Sequence, residues 1–121
     1  CEPLKIWLMC YNSHRPRGIT LRWSRTPWGP WSDGILFFRP WQDGGYTKFM
    51  RAVLPDGDGG PWGPAIAPKK EPQNVWAGEY GPYVIERFTR LTDSTLTIYY
   101  VMSTWNPYTV VLMKSQLDAR F

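Results

Sequence analysis

Cysteine and histidine are scarce in this chain of 121 residues. Cys1 and Cys10 are the two cysteines and His14 the one histidine. One bridge is conceivable, but a disulfide scaffold, a Cys-rich zinc site and any multi-His metal centre are excluded. No Gly-rich phosphate loop, HExxH or GxSxG string occurs. No run of 18 apolar residues is present, so the pattern gives no transmembrane helix. A secretory leader and an initiator methionine are also lacking, from which the sequence is expected to begin after processing or in mid-protein. No cofactor or metal is called for by any motif.

What the chain has in quantity is Gly (11), Pro (12), Trp (8), Tyr (7) and Phe (5). Proline removes a backbone donor and glycine carries an entropic cost inside an element, so long helices, bundles and coiled coils are ruled out. The aromatic load demands burial or a ligand, which excludes a disordered chain. Net charge is +4, and it is uneven: residues 1–51 carry eight Lys/Arg against three acids, residues 52–121 six against seven. Arg15, Arg17, Arg22 and Arg25 fall close together, and Arg22-Trp23-Ser24-Arg25 interleaves charge with an aromatic ring as a nucleic-acid reader does. So small an excess forces no anionic partner, and a solvated strand face accounts for it. No nucleic-acid partner is expected.

Period-two alternation is clearest from Thr95. Leu96, Ile98, Tyr100 and Met102 share one strand face; Thr95, Thr97, Tyr99, Val101 and Ser103 share the other. Trp105-Asn106-Pro107 breaks the ladder and Tyr108–Lys114 returns, a tight hairpin. The N-terminal part repeats this grammar: strand Leu4–Tyr11, a longer connection Asn12–Gly18, strand Ile19–Ser24, a Pro/Trp turn 26–32 and a short strand Gly34–Phe38. Ile6-Trp7 aligns with Ile98-Tyr99, and 21–25 with 112–116. A strand Pro82–Arg90 precedes the second hairpin.

The first copy thus shows strands two, three and four of a four-stranded antiparallel module, and the second shows strands one, two and three. Repeated four-stranded modules around an axis make a β-propeller. Two unfinished blades close no ring, so an all-β propeller fragment is expected. Its parts are a first blade at 1–38, a connecting strand and loops at 39–81, and a last blade at 82–121. A small β-sandwich is the structural alternative. In the central loop, Asp56-Gly57-Asp58-Gly59-Gly60 resembles the start of a calcium loop but lacks its closing glutamate. Turn chemistry accounts for it, as for the second Pro-Trp-Gly-Pro at 61–64.

Several rare strings occur in a telling order: Arg17-Gly18-Ile19, then Thr26-Pro27-Trp28-Gly29-Pro30-Trp31-Ser32, Pro40-Trp41-Gln42-Asp43-Gly44-Gly45-Tyr46, Gly78-Glu79-Tyr80-Gly81-Pro82-Tyr83, and Tyr99–Met102 with Ser103-Thr104-Trp105-Asn106-Pro107-Tyr108. In these the chain resembles the C-terminal half of a bacterial and fungal family, domain of unknown function 4185. The resemblance covers nearly everything except 55–75. It implies a five-bladed β-propeller related to the glycosidase propellers, secretion, and further blades upstream. Some relatives are endo-acting D-arabinanases of mycobacterial cell-wall glycan; others have no assigned activity.

Glycoside hydrolysis uses two carboxyl groups flanking the scissile bond, one with a raised pKa. Asp43 and Glu79 stand beside aromatic and Gly-rich turns and are the catalytic candidates, with an Asp-Gly turn and a structural blade cap as the ordinary alternatives. Sugars stack on aromatic faces and take hydrogen bonds from amides and acids, which selects Tyr46, Tyr80, Tyr83, Trp105, Asn106, Asn12 and His14. Trp7, Trp23, Trp28 and Trp31 are assigned to packing between blades. The expected partner is a polysaccharide or oligosaccharide, together with the remaining blades on the same or another chain. Three classes follow: a propeller glycosidase, a catalytically silent lectin-like propeller, and a structural or protein-interaction propeller.

Overall fold

A computed structural model describes residues 1–50, 78–105 and 107–119. The protein is all-β and built from antiparallel sheets. The first holds β1 (Trp7–His14), β2 (Arg17–Ser24) and β3 (Ile35–Phe38) in that order. A single helical turn, α1 (Gly45–Lys48), follows it. The second is centred on β6 (Thr95–Trp105), with β7 (Thr109–Asp118) on one edge and both β4 (Gly78–Val84) and β5 (Arg90–Thr92) on the other. None of the described helices is long and apolar enough to cross a membrane.

The two sheets lie face to face because each has one apolar face. Leu96, Ile98, Tyr100 and Met102 on β6 are all fully buried, as the alternation requires. They meet Ile19 and Leu21 of β2, with Leu8, Cys10, Phe37, Val84, Val111 and Met113 around them. Phe37 stands edge-on to the Tyr100 ring at a centroid distance of 5.0 Å. Burial pushes the Cys10 thiol up to about 12, which leaves it an inert core side chain. This stacking of like sheets is consistent with neighbouring propeller blades.

Three expectations need correction. The connection expected at 12–18 is a two-residue turn: β1 runs on to His14, which pairs with Arg17. Polar residues extend the ladder as well as apolar ones, with Thr20 Oγ1 donating to Ser13 Oγ at 2.7 Å. Just past the turn, Gly18 lets β3 approach β2, since at φ +142° an added Cβ would lie 2.2 Å from the Phe38 carbonyl oxygen. Next, the strand expected at 82–90 begins at Gly78, so Glu79 lies inside the strand rather than ahead of it. Pro82 cannot donate, and the register shifts between Tyr80 and Tyr83 before a 3-10 turn, Glu86–Phe88, divides β4 from β5.

The alignment of the two hairpins also slips. Cys10 pairs with Leu21 and Val101 with Leu112. Matching Leu21 to Leu112 therefore sets Cys10 on Val101 and Trp7 on Ile98, one residue from the expected Ile6. A slip of one exchanges the faces of a strand. Trp28 is 82% exposed and Trp7 52%, so neither packs between these two sheets. The calcium-like string and the second Pro-Trp-Gly-Pro fall outside the described residues.

Candidate functional site: a buried carboxyl at the sheet seam

The first turn of the β1–β2 hairpin and the start of β4 meet where the two sheets adjoin. Glu79 pairs across the ladder with Thr104, and both are buried. Alternation thus turns a carboxyl toward the interior, leaving its side chain 1% exposed. Arg17, at the head of β2, brings Nε to 3.8 Å from Glu79 Oε1 while its own side chain stays one-third exposed. The preceding residue, Gly78, leaves room for the guanidinium: a Cβ there would lie 2.7 Å from Arg17 Nη2 and displace it. Asn12 fastens the same corner by donating Nδ2–H to the Glu79 carbonyl oxygen at 2.5 Å.

Glu79 is pulled in two directions. Burial pushes its carboxyl above the ordinary 4.5, while its own backbone N–H and the Arg17 charge hold it down. Burial prevails. Oε2 has no hydrogen-bond partner among the described residues, so a protonated carboxyl here has an unused O–H. Tyr46, carried in by α1, belongs to the same electrostatic neighbourhood. Its phenol is pushed up by burial, drawn down by Arg17 and pushed up again by Glu79. Carboxyl, guanidinium, phenol and amide thus come from four separate segments of the chain.

The other expected site residues, where described, are exposed. Asp43 is exposed in the turn before α1, where Oδ2 accepts the Arg39 backbone N–H at 2.5 Å. His14 is exposed at the end of β1, opposite Arg17. Tyr80 is 43% exposed, and Trp105, across from Gly78, is 36% exposed with its ring centroid 6.5 Å from that of Tyr108. Tyr83 is 70% exposed and lines a separate cavity of about 1010 Å³ with Trp7 and Val84. Asn106 lies outside the described residues. Among the described residues, no group of three His, Cys, Asp or Glu side chains is placed to hold a metal ion.

Arg17 is the site residue that sequence reasoning missed. The sequence pattern groups it with its neighbours as solvated charge, yet the arginines of this stretch make specific ties. Arg22 donates to Tyr11 Oη at 3.0 Å and to the Ser32 carbonyl at 2.7 Å. The signal for a fixed position in the sequence is the string Arg17-Gly18-Ile19, whose glycine admits β3 beside β2.

Comparison with known proteins gives one match. Searches of curated proteins and of solved structures find none. The family model described as domain of unknown function (DUF4185) matches residues 1–114, the whole of the first sheet and all but the last part of the second. The chain belongs to the DUF4185 family.

Proposed function

We propose that this chain is part of a secreted, glycan-active β-propeller and that Glu79 is its general acid, cleaving a glycosidic bond. The observation that carries this is the Glu79 carboxyl itself: sealed, raised in pKa, one oxygen uncommitted, with Arg17 set beside it. A general acid must hold a proton near working pH and deliver it to a leaving-group oxygen. Arg17 positions the carboxyl and stabilises the carboxylate left after transfer. The Tyr46 phenol and the Asn12 amide belong to this centre, and Trp105, across from Gly78, offers a ring face for a sugar.

The second carboxylate belongs about 5–10 Å from Glu79. Asp43 is the candidate from this chain, and a neighbouring blade is the other source. A lectin-like propeller is the second reading, favoured by the engagement of Asp43 with a backbone N–H.

Glu79→Gln keeps size and hydrogen-bonding while removing the transferable proton. In the intact protein it is expected to abolish release of reducing ends from a cell-wall polysaccharide such as arabinan, with the fold unchanged by circular dichroism. Unchanged turnover removes Glu79 from the mechanism. Glycan retention on an affinity gel by a protein that never cleaves selects the lectin-like reading.

A further inference from the structure

An antiparallel sheet ordinarily buries one face and wets the other. The second sheet carries an apolar patch on its outer face as well. On its outer face Tyr83, Val101 and Leu112 form one rung across three strands, and Tyr80, Ser103 and Val110 the next. Val110 is 65% and Leu112 62% exposed.

The internal repeat identifies what this face is for. The pairings Cys10–Leu21 and Val101–Leu112 superpose the first hairpin on the second. On that superposition Leu8 corresponds to Tyr99, Cys10 to Val101, Ile19 to Val110 and Leu21 to Leu112. In the first sheet these four residues are among those packed in the cores shared with the second sheet. In the second sheet their counterparts include the exposed Val110 and Leu112. Apolar or aromatic residues stand at the same register in both, yet only one set is covered.

We infer that the outer face built on Tyr99, Val101, Val110 and Leu112 is the docking surface for a further antiparallel sheet. That sheet presents alternating large apolar side chains, as Leu96, Ile98, Tyr100 and Met102 do toward the first. Continuity with the interface already formed commits the face to this occupant: the contact between the first and second sheets is repeated once more. Lys114 and Gln116, over Tyr99 and Thr97, form the polar margin of the patch. This rests on the propeller part of the functional reading and not on Glu79, whose substitution leaves the face intact.

Carbene footprinting of the intact protein tests it without any substitution. Leu112 and Val110 are expected to label as weakly as the buried Leu21; labelling in proportion to 62–65% exposure overturns the assignment. In parallel, Leu112→Lys is expected to lower the melting midpoint by more than about 5 °C, as a core lesion does, while Lys114→Ala shifts it by less than about 2 °C. Equal, small shifts overturn it. Occupancy by a second copy is a contrary outcome as well, read as protection that disappears on dilution together with a dimer mass in light scattering.

Discussion

Replacing Arg17 by glutamine removes the charge beside a carboxyl whose side chain is 1% exposed. Taking one partner from a fully buried ion pair costs about 3–5 kcal/mol. Arg17 itself is one-third exposed, so solvent already screens part of the attraction, and the expected cost at pH 7 is about 1–3 kcal/mol. The sign of the pH dependence follows from burial. The folded Glu79 pKa is raised, so its protonated form contributes stability that is fully present below the ordinary value of 4.5 and lost as pH rises through the folded pKa. Each unit of further elevation costs about 1.4 kcal/mol above that window. Arg17→Gln elevates it further, so its penalty grows from well under 1 kcal/mol near pH 3.5 to its full size at neutrality. Urea unfolding of wild type, Arg17→Gln, Glu79→Gln and the double variant at pH 3.5, 5.5 and 7 reads this directly. The double variant is expected to be more stable than Arg17→Gln alone at pH 7. An Arg17→Gln penalty equal at pH 3.5 and pH 7 refutes the reasoning.

Two further substitutions probe the fold that holds the site. Gly18→Ala sets a methyl group against the Phe38 carbonyl at a positive φ, and is expected to cost more than about 2 kcal/mol in chemical denaturation, because neither strand can yield. Thr89 and Thr104 form a matched pair: both are buried, but Thr104 Oγ1 donates to the Pro107 carbonyl at 2.8 Å, whereas Thr89 Oγ1 has no partner among the described residues. Valine at 104 is expected to destabilise by about 1–2 kcal/mol, and valine at 89 to be neutral or stabilising in the same assay.

Much of the architecture was legible because burial is written in period two. The run Leu96, Ile98, Tyr100, Met102 identified β6 and its buried face without ambiguity, since a strand covered on that face can hold nothing else there. The ends of strands were harder. His14 and Arg17 pair across a tight turn although nothing apolar marks them, and Gly78 opens β4 in a stretch that reads as loop. Backbone hydrogen bonds are indifferent to polarity, so a ladder can outrun its hydrophobic pattern.

The site was half visible. Glu79 stood out through its Gly-flanked setting, but its partner did not. Glu79 and Arg17 are 62 residues apart in the chain, and only the stacking of the sheets brings them together. Asp43 carried a similar signature in Trp-Gln-Asp-Gly-Gly and lies exposed, its carboxylate turned to the Arg39 N–H. An acid beside glycine and aromatic residues is compatible with a turn or a site, and burial separates the two.

The central claim concerns one proton on one carboxyl. Titration of the Glu79 side-chain carbon by nuclear magnetic resonance, in the intact protein, follows that proton. A midpoint above the ordinary 4.5, rising further in Arg17→Gln, is the expected result. A midpoint at or below 4.5 means that Arg17 outweighs burial, and Glu79 is then a structural anion rather than an acid.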